Sequence, residues 1–276
     1  MFQWMLTAVW LMTSPVHAQE SVAVDTATQA VTLKTHNARA NRVLNQALSN
    51  PTYWNDAWSK DYSNELYEVI RLKPFEGGYV PMIEGESDTD IPHEVVSDII
   101  YLQNTKIPKH MSGAVAVVNL GSGHDSVVGE DYEDSYYYLD FGIFYSTYSQ
   151  RMYRKYDAAS KRTVLWFETL TPEMAGPENW ASYEQQIEKV NQSVDKRWAF
   201  NAVIPFGEVF GMFIVSPGET RTSKVTFITK LSFGADAGWI AKMGSQMPSV
   251  IRSGLKSGYN ACVAIAKIEK KKRAGA

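Results

Sequence analysis

Along residues 238–270, GWIAKMGSQMPSVIRSGLKSGYNACVAIAKIEK, apolar and small positions recur every three or four residues: Trp239, Met243, Met247, Val250, Gly254, Gly258, Ala261 and Ile265. That spacing lies on one helical face and predicts a long amphipathic C-terminal helix. The face begins bulky and becomes small. Interior glycine costs roughly 1 kcal/mol relative to alanine and interior proline about 3, so Gly244, Pro248, Gly254 and Gly258 need a packing or functional reason. Small residues let a helix approach a sheet or a ligand closely, and Pro248 one turn after Gly244 predicts a kink that serves as a hinge.

Earlier in the chain, residues 26–62 read as helical, with Val43, Leu44, Ala47 and Leu48 on one side before Asn50-Pro51 and a short turn carrying Trp54 and Trp58. Alternation then predicts strands at 65–73 and 78–87, and the apolar face Val95, Val96, Ile99, Ile100 predicts a helix over about 90–104. Strands follow at 114–120, 135–149, 151–156, 162–170, 197–204, 208–215 and 223–233. No βαβ alternation occurs, which disfavours a parallel nucleotide-binding sheet and predicts an α+β architecture with a meandering antiparallel sheet.

The stretch 135–149 reads as one strand whose two faces are both apolar and rich in aromatics: Tyr137, Leu139, Phe141, Ile143 and Tyr145 on one, Tyr136, Tyr138, Phe144 and Tyr148 on the other. Two readings stay open. The strand is covered on both sides, or one face lines an amphipathic cavity.

The net charge of -3 over 276 residues gives no field to attract nucleic acid. The N-terminal apolar run from Trp4 to Met12, followed by Val16-His17-Ala18, has the form of a secretory leader cleaved near Ala18, although the first basic residue is Lys34. This predicts a secreted or periplasmic protein; an uncleaved amphipathic anchor is the alternative. The run is shorter than the roughly 20 apolar residues a spanning helix needs. Cys262 is the single cysteine, so no internal disulfide forms, and its apolar neighbours predict an inert buried thiol.

The segment SKVTFITKLSFGADAGWIAKMGSQMPSVIRSGL (223–255) resembles the START branch of the helix-grip (START-like, SRPBCC) superfamily, the steroidogenic acute regulatory protein-related lipid-transfer domains. The likeness lies in a last strand of the T-x-S-K-V-T type, a short loop, and Gly238-Trp239-Ile240 opening the terminal helix. GGYVPMIEGESDTDIPHEVVSDII (77–100) is similar to the superfamily's opening strand and first helix, and the element order extends the likeness over about 65–268. The resemblance implies a curved antiparallel sheet wrapped around a long C-terminal α-helix, enclosing a tunnel for a lipid, sterol or other hydrophobic molecule. The chain then divides into a signal peptide (1–18), an N-terminal helical extension (19–64), a START-like domain (65–270) and a basic tail (271–276).

On that reading Tyr137, Phe141, Tyr145, Trp166, Phe227, Trp239, Met243, Met247, Val250 and Ile251 line the ligand space, and Arg151, Glu168 and Arg197 are its candidate polar groups. The expected partner is a hydrophobic small molecule carried by a monomer without cofactor, metal or catalysis. Some members of the superfamily are cyclases or dehydratases, so an enzyme acting on a hydrophobic intermediate is the alternative; a ligand-free interaction module is a second. Residues 171–195 depart from the family pattern, and their stripe Trp180, Tyr183, Ile187, Val190 is read either as a lid or as a helix packed on the sheet edge. His93, His110 and His124 lack metal-ligand spacing, and Asp125, Glu130, Asp131, Glu133 and Asp134 lack the order of a calcium loop, which predicts a solvated loop. The basic end, Lys267, Lys270, Lys271, Lys272 and Arg273, is read either as a solvated helix end or as a transient membrane-surface contact.

Overall fold

The structure is a computed structural model that describes residues 31–61, 69–76, 78–87, 93–102, 104–111, 113–141, 144–195, 202–219, 223–234, 237 and 248–274, the side chains of 87, 94, 95, 99, 102, 104, 107, 250, 263, 266, 269, 270, 273 and 274 excepted. The leader, Arg197 and the stretch with Trp239, Met243, Gly244 and Met247 lie outside these residues.

Nine strands form one antiparallel sheet: β1 (Trp58–Asp61), β2 (Val69–Phe75), β3 (Gly78–Ser87), β4 (Ala114–Asp125), β5 (Glu130–Asp140), β6 (Tyr145–Asp157), β7 (Arg162–Thr169), β8 (Phe206–Ser216) and β9 (Ser223–Phe233). Their spatial order is β1-β2-β3-β9-β8-β7-β6-β5-β4. Each neighbouring pair is close in sequence except β3 and β9, whose pairing from Met82↔Ile228 to Ser87↔Ser223 joins the first strands to the last. The helices are α1 (Ala38–Ser49), α2 (His93–Leu102), α3 (Pro172–Ala175), α4 (Pro177–Ser193) and α5 (Pro248–Ala274).

Side chains alternate across a strand, so each strand feeds two cores. On the inner face Ile70, Ile83, Met152, Leu165, Phe167, Phe213 and Val225 pack against Val96 and Ile100 of α2 and Leu255, Tyr259 and Ile265 of α5. On the outer face Met82, Tyr153, Val164, Trp166, Phe210, Met212 and Ile228 meet Leu33 and the α1 residues Ala40, Val43 and Leu44. A third cluster on that side packs Tyr136, Tyr138 and Tyr145 against Tyr183 of α4, with Trp180, Ile187 and Val190 at its border. The stretch 171–195 is thus a helix on the outer face and not a lid over the inner one.

Several sequence expectations change. The expected strand 135–149 is a hairpin whose register runs from Tyr132↔Tyr153 to Asp140↔Tyr145. Antiparallel pairing across it puts odd-numbered positions of β5 on the same face as even-numbered positions of β6, so Tyr148 joins Tyr137 and Tyr145 joins Tyr136 and Tyr138. Both faces are covered, which accounts for aromatics on both. Among the described residues of the helical lead-in the helix is α1, where the Asn37 side chain caps the N–H groups of Arg39 and Ala40; Trp58 begins an edge strand instead. The described part of α5 starts at Pro248, and the expected kink between Gly244 and Pro248 lies outside the described residues.

The acidic stretch is also no solvated loop throughout, since Asp125 and Asp134 are buried.

Candidate functional site

The inner face is lined by aromatic pairs contributed by adjacent strands. Tyr137 and Tyr148 stack with centroids 4.6 Å apart and planes 3° apart. Phe213 and Phe227 stack at 4.3 Å, and Phe206 and Phe233 at 4.4 Å. Phe167 lies across β8 where Gly211 leaves room: a Cβ there would sit 2.5 Å from the Phe167 ring and against the carbonyl oxygen of Ile228. Above this floor α5 presents Ile251, Leu255, Tyr259, Cys262 and Ile265. Gly258 brings α5 to within 3.5 Å of the Phe227 ring, measured from the position a Cβ would take, whereas Gly254 faces open space. Gly258, Ala261 and Ile265 of the expected stripe are packed, but Leu255 and Tyr259 take the place of Gly254 at its centre.

Tyr148 and Cys262 carry the most information about what lies between sheet and helix. Both pack against the inner core yet retain accessible surface, and burial pushes the Cys262 thiol up to about 12 and the Tyr148 hydroxyl well above its ordinary range. Tyr79, Met111, Phe227, Leu231, Phe233 and Ile251 are likewise only partly buried around the inner core.

Across this apolar floor runs a neutral polar row. Ser135, Gln150 and Thr169 are register partners on β5, β6 and β7, and Gln150 Nε2 donates to the Tyr137 hydroxyl at 3.3 Å. Thr169 Oγ1 accepts from Val209 N–H at 2.7 Å. At the far end of β6, Arg154 pairs with Asp98 where both are partly exposed, and its guanidinium lies 4.7 Å from the Tyr101 ring centroid.

Of the residues expected to line the ligand space, Phe227 and Ile251 pack against the inner core, and Tyr137 shares that face through its stack on Tyr148. The Val250 backbone lies in α5. Phe141 sits at the β5–β6 turn, half-exposed, stacked on Phe144 at 5.2 Å. Trp166 and Tyr145 face outward, because they fall on the other parity of their strands.

Arg151 and Glu168 face outward too, and the sequence offered no sign that they would be buried there. Glu168 accepts the backbone N–H groups of His36 and Asn37, each at 2.8 Å, and the Trp166 indole donates to the Lys34 carbonyl at 2.8 Å. Arg151 donates through Nε and Nη2 to the two Asp134 oxygens at 2.8 Å each, reaches Asp125 at 3.2 Å, and covers the Tyr132 ring at 3.6 Å. The Tyr153 and His36 side chains complete the Asp125 shell at 3.1 and 2.8 Å, and Tyr183 reaches Asp134 at 3.2 Å.

Burial alone would raise the Asp125 carboxyl, but hydrogen bonds from His36 and the Val128 N–H outweigh it and hold the group at about 2. In Asp134 and Glu168 burial wins, and both carboxyls are raised. The network fastens the N-terminal segment 31–49 and α4 to the sheet, away from the inner space. Among the described residues no cluster of three or more His, Cys, Asp or Glu side chains could hold a metal ion, and no helix is long and apolar enough to cross a membrane.

No family model matches the sequence, and comparison with curated proteins gives no match either. Solved structures do match. The STAR-related lipid transfer protein fragment from Xanthomonas axonopodis aligns with a TM-score of 0.50 at 9% identity, covering 76% of this chain and 98% of that one. Human STARD10 aligns with a TM-score of 0.52 at 11% identity, covering 91% and 89%. The Zhui aromatase/cyclase from Streptomyces sp. R1128 is more distant, at a TM-score of 0.41 and 12% identity over 71% and 96%. At these identities the likeness is one of architecture, and with the nine-stranded antiparallel sheet and its inner helix it shows that the chain has the START-like helix-grip fold.

Proposed function

We propose that the protein binds, and carries, a hydrophobic molecule of lipid or sterol type between the inner face of the sheet and α5. The observation that supports this most directly is the accessible surface that Tyr148 and Cys262 retain against an otherwise apolar core, one on the sheet and one on α5. Burying apolar surface is worth about 0.8 kcal/mol per methylene, so a long acyl chain held there supplies ample affinity before the costs of association. Carriage also accords with the name of one structural neighbour, the STAR-related lipid transfer protein.

Native mass spectrometry of the purified chain, before and after organic extraction, tests the reading. The expected result is an adduct of lipid mass that extraction removes and an added lipid restores. A chain that stays ligand-free across a broad lipid panel is a filled-core module instead, and turnover of a bound probe would put an enzyme in place of a carrier. We extend the proposal to export by the N-terminal leader and to transient contact of the basic end of α5 with anionic membranes. Processing near Ala18, and salt-sensitive vesicle binding lost on deletion of 270–276, are the corresponding measurements.

A further inference from the structure

We propose that the ligand is uncharged and bears a hydroxyl or carbonyl oxygen that is held at Gln150, in the row Ser135–Gln150–Thr169, beside Tyr137 and Tyr148. This rests on the ligand-binding reading above and names the chemistry of its polar end. The sheet separates polar groups by kind. The fully buried Asp125, Asp134, Arg151 and Glu168 face outward, paired with one another or with backbone N–H groups. Buried Glu86 and Lys230 share that side by strand parity with Met82 and Ile228. The inner floor instead carries neutral amide and hydroxyl groups, with Gln150 and Ser135 themselves buried. Glu133 and Arg154, the charged residues of the same parity on β5 and β6, are partly exposed and already engaged, Glu133 by Asn119 and Arg154 by Asp98.

An ionised head in that space would lose water without gaining a buried counter-charge from the described floor. A neutral oxygen needs only a hydrogen bond, and the 3.3 Å bond between Gln150 and Tyr137 is long enough for a ligand oxygen to displace it. The aromatic stacks on either side of the row, Phe206–Phe233 and Phe213–Phe227, then take the apolar body.

The test is displacement of the neutral dye Nile red from the full chain by matched pairs: hexadecanol against hexadecanoate, and a sterol against its parent steroid hydrocarbon. It is run at about pH 8, well above the ordinary carboxyl range, so that the acid is an anion. The alcohol and the sterol should displace about tenfold better than their partners, the scale of one buried hydrogen bond. Gln150→Leu, and Tyr137→Phe, which keeps the ring stack, should each shrink that preference. Hexadecanoate competing as well as hexadecanol overturns the assignment, as does an unchanged preference in both folded variants. If neither the dye nor any probe binds, the ligand-binding reading itself falls with it.

Discussion

Arg151 and Asp134 stand directly opposite each other on β6 and β5, and two parallel N–H···O bonds of 2.8 Å join them beneath α4 and the N-terminal segment. Both are almost wholly buried, so either one alone would be an uncompensated charge. Asp134→Asn or Arg151→Met should therefore lower stability by about 3–5 kcal/mol, whereas a matched apolar replacement of both should recover much of that loss. Urea denaturation of the two single variants and the double variant checks this; full additivity would contradict the pairing.

The acid limb of stability should carry the mark of Asp125. A carboxyl depressed in the folded state stabilises it above the unfolded pKa, and that contribution disappears as pH falls from about 4 towards about 2. Asp134 and Glu168, raised by burial, act in the opposite sense: their ionisation opposes folding as pH rises through their folded values, so acidification first relieves them. Stability measured against pH should thus pass through a maximum on the acid side, and Asp125→Asn should flatten the fall below about pH 4. An unchanged fall in the variant would assign acid unfolding to other groups.

Trp166 ties the sheet to the Lys34 carbonyl, and Glu168 next to it on that face holds the following two N–H groups. Trp166→Phe removes one of these three bonds and some packing, at a cost of about 1–3 kcal/mol. The loss should be local. Hydrogen exchange at residues 33–44 should quicken while β8 and β9 stay protected, and Nile red binding should persist, since this side chain does not face the inner space.

Gly211→Ala puts a methyl group against the Phe167 ring and the Ile228 carbonyl. Backbone cannot retreat as a side chain can, so a loss of about 1–3 kcal/mol is expected together with a shifted Phe167 and altered probe affinity. Wild-type stability would mean that the strands are further apart than they stand here.

The identity of β9 was legible because alternation with β-branched and aromatic residues survives in any context, and β9 occupies 223–233 as its pattern indicates. The faces were harder. Parity is counted from a turn, and Phe141–Phe144 contain no Asn-Gly or Pro signal to mark one, so Tyr145 and Tyr148 were exchanged. Trp166 and Tyr137 look alike in sequence; only register decides which is inside. The outer ionic network was invisible because its members are distant in the chain, and a buried Asp125 differs from a solvated one only through partners such as His36 and Arg151. The stripe on α5 slipped at Gly254 because that residue satisfies the helical period as well as Leu255 and Tyr259 do.

The ladder between β3 and β9 imposes an order of assembly on the molecule. As the chain emerges from its N-terminus, β1, β2 and β3 can pair among themselves, but the edge of β3 must wait for a strand made only near the end, and the aromatic floor stays uncovered until α5 follows. Such distant pairing makes for slow folding and a lasting exposure of sticky edges. A nascent chain of this design gains from being kept unfolded until it is whole, and any truncation before residue 233 should yield an aggregating half-sheet instead of a smaller version of the same protein.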